Sequence, residues 1–92
     1  MIVRIQGDGQ YRLDESAQAE LSSLDAQLFD AVKGGGAEEA HNLLTLTIAL
    51  VHNQGSRLAE DDLSSSDLIL PSADASLDET RALLQSEGLV KS

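Results

Sequence analysis

The sequence predicts an α+β fold in which an N-terminal β-hairpin packs on three helices. Two observations lead to this prediction. Strand-forming residues flank the turn sequence Gly7-Asp8-Gly9, and three later segments carry apolar residues at helical spacing. A chain of 92 residues fits a single domain, which we assign to residues 1–92.

The hairpin is predicted from the residues on both sides of its turn. Ile2, Val3 and Ile5 precede the turn, and Tyr11 and Leu13 follow it. The two glycines of the turn can adopt the positive φ that a tight hairpin requires. Because an isolated hairpin is only marginally stable, we expect it to pack on the helices.

The first helix is predicted to begin at a cap formed by Asp14 or Ser16 and to run to about Val32. Its apolar residues fall on one stripe that includes Leu21, Leu24 and Leu28. The triplet Gly34-Gly35-Gly36 ends it, since three glycines leave the backbone too free to continue a helix.

The second helix is predicted over Ala37–Asn53, closed by Gly55. Leu44-Thr45-Leu46-Thr47-Ile48 alternates with a period of two, which also suits a strand. The length of the segment and its terminal glycine favour a helix. Apolar residues cover most of its circumference, so we expect it at the centre of the core.

The last third of the chain is predicted as a loop, a short extended segment and a third helix. Residues 56–66 are polar and acidic, with Leu58 and Leu63 as anchors of the loop. Leu68-Ile69-Leu70 before Pro71 fits either an edge strand or an extended tether. Ser76 and Glu79 form a capping box that begins the third helix. We expect Gly88 to end it and Leu89-Val90 to fold back against the core.

The charge of the chain excludes several classes of partner. Sixteen acidic residues stand against six basic ones, giving a formal net charge of −10. Such a surface repels nucleic-acid phosphates and anionic lipid, so we predict neither nucleic-acid binding nor direct membrane binding. A basic protein partner is the natural complement, and solubility alone is the other explanation of the charge.

The longest apolar stretch predicts no membrane span. It covers nine positions, 43–51, whereas a spanning helix needs about 20 apolar residues. The sequence has no cysteine and no recognisable signal peptide. We therefore expect a cytoplasmic protein that reaches the inner face of the membrane only through a partner.

The candidate chemical groups do not form a catalytic or metal-binding pattern. His41 and His52 lie about 16 Å apart along a helix axis, too far to share one zinc ion. The carboxylates Asp74, Asp78 and Glu79 fall where a turn and a helix start explain them. We predict no catalytic residue, no metal and no cofactor, and interpret both histidines as solvated.

Two phrases of the chain are similar to one known family. They are Met1–Leu13, and Ser66-Asp-Leu-Ile-Leu-Pro71 leading into the segment that ends at Glu79. In this order the phrases resemble the PspA-associated domain family (PspAA), small partners of the phage-shock protein A membrane-stress system. The positions that match the family pattern are Gly7, Gly9, Tyr11, Leu13, Asp67, Leu70, Pro71, Asp74, Leu77, Glu79, Leu83, Gly88 and Leu89. The triplet at 34–36 departs from the acidic turn expected between the first two helices.

The resemblance implies a non-enzymatic protein–protein interaction module. Such a module would be an adaptor or regulator of a PspA-like coiled-coil, membrane-remodelling protein in the envelope stress response. The residues that we predict to meet the partner are Asp61, Asp62 and Asp67, an exposed Tyr11, and the edge formed by Leu68, Ile69 and Leu70.

A different class of function is a small-ligand or nucleotide sensor that uses the hairpin turn and the glycine triplet. The sequence also leaves open the oligomeric state, and whether 68–70 pairs within the sheet or with another chain.

Overall fold

The computed structural model describes residues 1–87, with side chains described through residue 82. In chain order the elements are β1 (Ile2–Ile5), β2 (Gly9–Arg12), α1 (Glu15–Lys33), α2 (Ala37–Gln54), β3 (Ser56–Arg57), β4 (Leu68–Leu70) and α3 (Leu77–Glu87). The strands form one four-stranded sheet in the order β3-β2-β1-β4. The predicted α+β fold is therefore confirmed. The predictions for Gly88, Leu89 and Val90 lie outside the described residues.

The first two strands form the predicted hairpin. Val3 lies opposite Tyr11, and Ile5 lies opposite Gly9 in an antiparallel pair. The turn between them places Gly7 at a φ of +79°, a conformation that side chains with a Cβ rarely adopt.

The segment Leu68–Leu70, predicted as either an edge strand or an extended tether, forms strand β4 at one edge of the sheet, where it pairs in parallel with β1. Val3 lies opposite Leu68, and Ile5 lies opposite Leu70. The side chains of these four residues point to the same face of the sheet and are buried.

The prediction of a loop from residue 56 is wrong at its first two positions. Ser56 and Arg57 form β3, which pairs antiparallel with Arg12 and Tyr11 of β2. Both residues of β3 are exposed, so no alternation of apolar and polar residues marked them as a strand. The prediction that Leu63 anchors the loop is also wrong, since this residue is 95% exposed.

The helices cover one face of the sheet and form an aliphatic core with it. Helix α2 contributes seven buried residues, which confirms its central position and its helical rather than extended conformation. The largest fully buried side chains of the core come from both layers: Leu21, Leu28, Leu44, Val51, Val3, Leu68 and Leu70. Burying each such side chain stabilises the fold by about 1.5–3 kcal/mol relative to exposing it.

The predicted helix caps are observed. Asp14 is the cap of α1, and its Oδ1 accepts a hydrogen bond from the N–H of Ala17 at 2.9 Å. At α3, the N–H of Glu79 donates to Ser76 Oγ and the N–H of Ser76 donates to Glu79 Oε1, both at 3.1 Å. This reciprocal pair is the predicted capping box.

Gly55 is required where α2 passes into β3, because the backbone there has no room for a side chain. A Cβ at this position would lie 2.5 Å from the carbonyl oxygen of Val51 and 3.1 Å from side-chain atoms of Leu13 and Tyr11. Real Cβ atoms essentially never approach a carbonyl oxygen so closely. The absence of a Cβ at residue 55 therefore allows β3 to begin directly after the end of α2.

We expect Gly55→Ala to destabilise the domain by about 1–3 kcal/mol, the range for overpacking a close contact. The free energy of unfolding from chemical denaturation measures this. Gly34→Ala is the matched control, since a Cβ there meets its nearest atom at 3.4 Å. The control should change stability by less than about 1 kcal/mol. Equal effects of the two substitutions would show that the close approach at Gly55 does not constrain the fold.

Candidate partner-binding surface

The segment between β3 and β4 crosses the face of the sheet that the helices leave open. These two strands lie at opposite edges of the sheet, so residues 58–67, here called the crossing loop, must pass over β2 and β1. Gln10 precedes the core-facing Tyr11, and its side chain therefore points to the opposite, outer face. Gln10 Nε2 donates to the carbonyl oxygen of Ser64 at 3.0 Å and to Ser66 Oγ at 2.8 Å. These bonds hold the crossing loop against the outer face.

The three acidic residues predicted to meet a partner lie in or at the end of the crossing loop, but they differ in role. Asp62 Oδ1 accepts a hydrogen bond from the N–H of Ser64 at 2.8 Å. Hydrogen bonds from the Ser64 side chain and backbone hold the pKa of the Asp62 carboxyl below its usual value. Asp67 Oδ2 accepts from the N–H of Ile2 at 2.8 Å, which fixes the start of β4 beside β1. Asp61 is exposed and is the one whose replacement disturbs the loop least.

The prediction of an exposed Tyr11 is wrong. The residue is 7% exposed and belongs to the core, because its register opposite Val3 turns its side chain toward the helices. Its hydroxyl donates to Asp8 Oδ1 at 3.0 Å. Tyr11 therefore has a structural role, and the surface offers no aromatic anchor at this position.

Within the described residues, the segment Leu68-Ile69-Leu70 presents only its middle residue at the outer edge of the sheet. The side chains of Leu68 and Leu70 are buried in the core. The N–H of Gln6 donates to the carbonyl oxygen of Leu70 at 3.0 Å, so the backbone of Leu70 faces β1. Since successive residues of a strand point their backbone groups to opposite sides, those of Ile69 face outward.

A cluster that the sequence analysis missed joins the hairpin turn to α2 and β3. His52 Nε2 lies 2.5 Å from Asp8 Oδ2. The His52 side chain is also 45% exposed, in agreement with the prediction that it is solvated. Arg57 Nη1 donates to Asp8 Oδ1 at 3.0 Å and to the Tyr11 hydroxyl at 3.1 Å. Arg57 Nη2 donates to the carbonyl oxygen of Asp8 at 3.0 Å. No sequence signal predicts this cluster, because Asp8 and His52 are 44 positions apart.

The charges in this cluster compensate one another. The hydrogen bond with His52 is the main cause that lowers the pKa of the Asp8 carboxyl, and the hydrogen bond from Tyr11 adds to it against the effect of burial. Burial, followed by the hydrogen bond to Asp8, raises the pKa of the Tyr11 hydroxyl. The hydrogen bonds are made between the members of the cluster. The role of the cluster is therefore to stabilise the contact between the hairpin turn, α2 and β3.

The features considered for small-ligand binding have local structural explanations. A depression of about 170 Å³ beside the cluster is lined by residues that include Arg4, Gly9 and Glu60, and it is smaller than the ~300–1,000 Å³ of typical ligand pockets. The glycine triplet closes α1, with the N–H of Gly36 donating to the carbonyl oxygen of Ala31 at 3.0 Å. Neither feature favours the sensor function.

Within residues 1–87, no three His, Cys, Asp or Glu side chains are grouped so that they could hold a metal ion. Over the same residues, the helices are too short or too polar to cross a membrane.

We expect Asp8→Asn to lower the free energy of unfolding at neutral pH. In acid, the free energies of unfolding of the variant and the wild type should become more similar. The pKa of the Asp8 carboxyl is lower in the folded protein than its ordinary value of 3.8. The stability that the Asp8 charge contributes is therefore fully present above pH 3.8, and it is lost as the pH falls through the lowered pKa of the folded state. Urea unfolding at a series of pH values measures this. Asp30→Asn, an exposed carboxylate outside the cluster, controls for the loss of one negative charge. A difference for Asp8→Asn that stays constant from neutral to acid pH would contradict the role of its charge.

Comparison with known proteins identifies the family. A model of the PspA-associated protein family matches residues 1–92, which is the whole sequence. A search of curated proteins and a search of solved structures each found no match. The hairpin and the Leu68–Pro71 segment that suggested this family form the adjacent strands β2, β1 and β4 of the sheet. The chain therefore belongs to the PspA-associated protein family.

Proposed function

We propose that this domain is a non-enzymatic adaptor or regulator that binds a PspA-like coiled-coil protein in the envelope stress response. The observation that carries the proposal is the family match over residues 1–92, since the family is described by its association with PspA. In this proposal the domain is cytoplasmic and reaches the inner face of the membrane through its partner.

The distribution of charge supports a basic partner surface. The net charge is −10, and acidic side chains are exposed on α1, on α2 and on the crossing loop. Charge complementarity of this kind accelerates association and makes it sensitive to salt. The exposed acidic residues on these three elements are Glu15, Glu20, Asp30, Glu38, Glu39, Glu60, Asp61 and Asp67.

The crossing loop and the outer edge of β4 form a continuous candidate contact surface in the described part of the chain, because the loop leads directly into that strand. Asp61 offers an exposed charge, and Ile69 offers outward backbone groups for pairing with an extended partner segment. Asp62 and Asp67 support this surface by holding the loop and the start of β4. Tyr11 is left out of the proposed surface because it is buried.

The direct test is a titration of the domain with the purified PspA-like protein of the same organism, at low and at moderate salt. The proposal predicts a complex whose affinity falls as the salt concentration rises. Absence of binding at both salt concentrations, with the domain shown to be folded, would overturn it.

We expect Asp61→Lys to weaken the complex and to flatten its salt dependence, because it removes an attractive charge and adds a repulsive one. Glu20→Lys is the matched control, with the same charge change at an exposed position of α1. Both variants are titrated against the PspA-like protein at two salt concentrations. Equal weakening by the two would assign the effect to overall charge rather than to the crossing loop.

A further inference from the structure

We propose that Leu63 is the apolar anchor of the interface, inserted into an apolar depression between basic side chains of the PspA-like partner. This inference rests on the function proposed above and adds the residue that would provide the apolar contact. Leu63 is 95% exposed, compared with 56% for Leu46 and 49% for Phe29, the other exposed large apolar residues of the described chain.

The backbone around Leu63 is held in place on both sides. The N–H of Asp62 donates to the carbonyl oxygen of Ala59 at 3.0 Å, and the N–H of Ser64 donates to Asp62 Oδ1 at 2.8 Å. The carbonyl oxygen of Ser64 accepts a hydrogen bond from Gln10, a residue that is only 6% exposed. Leu63 is thus presented from a loop that is already ordered, which reduces the entropy lost on binding.

The charges beside Leu63 select the chemistry of the partner. Glu60 and Asp61 are exposed in the same loop, so an apolar depression bordered by lysine or arginine is complementary to this segment. A second copy of this chain would bring a further net charge of −10 to the contact. An anionic lipid surface is repelled for the same reason. The occupant that fits is therefore a basic protein segment.

Leu63 contributes little to the fold, because its side chain remains in water when the domain is free. Burying a leucine side chain in a partner corresponds to about a tenfold to hundredfold gain in affinity. Loss of this side chain should thus affect binding and leave folding intact.

The test compares Leu63→Ser with two control variants, Leu46→Ser and Phe29→Ser, which make the same kind of change at the other exposed apolar positions. Each variant is titrated against the PspA-like protein of the same organism at low salt. We expect Leu63→Ser to weaken the complex about tenfold or more and to keep the melting temperature of the wild type. The two controls should bind as the wild type does.

The possible results separate this inference from the function on which it rests. If the wild-type domain does not bind the PspA-like protein, both proposals are wrong. If the wild type binds and Leu63→Ser binds equally well, the anchor is wrong and the proposed function stands. Sedimentation of the domain alone tests whether Leu63 instead contacts a second copy of this chain. If the domain self-associates, and Leu63→Ser abolishes the self-association while leaving the affinity for the PspA-like protein unchanged, the inference is wrong.

Discussion

The strand order of the sheet is the constraint on which the proposed surface depends. Strands β3 and β4 follow each other in sequence but occupy opposite edges, and the helices already cover the inner face. The connection must therefore cross the outer face, where Ser64 and Ser66 accept hydrogen bonds from the buried side-chain amide of Gln10. A buried polar group without a partner costs about 1–3 kcal/mol, so the path of the loop and the burial of Gln10 stabilise each other. Leu63 lies on this loop and is exposed to solvent.

The position of β3, where the crossing loop begins, is set by contacts on two sides. Gly55 lets the chain leave α2 close to Val51, where a side chain would not fit. Arg57 then binds Asp8 in the hairpin turn, and Asp8 is also bound by His52 near the end of α2. The hairpin turn, the second helix and the start of the crossing loop are thus joined by one group of charged and polar contacts.

The sequence predicts the elements that carry a local signal. The turn glycines, the cap at Asp14, the capping box at Ser76 and the apolar stripes each depend on residues that are close in the chain. Tyr11, Leu63 and the cluster around Asp8 could not be predicted in the same way. The pairing of β2 with β1 decides which face Tyr11 occupies. The loop that carries Leu63 is held by hydrogen bonds from Gln10 to Ser64 and Ser66, which are 54 and 56 positions away in the sequence. These features arise from contacts between segments that are far apart in sequence.

The measurement that most directly tests the proposed interface is a map of amide chemical shifts of the isotope-labelled domain as the PspA-like protein is added. If the crossing loop and the β4 edge form the contact, the largest changes will fall on residues 59–69, with smaller changes at Gln10 beneath the loop. Changes concentrated on the exposed sides of α1 and α2, with residues 59–69 unaffected, would contradict the proposed interface and place the partner on the helical layer.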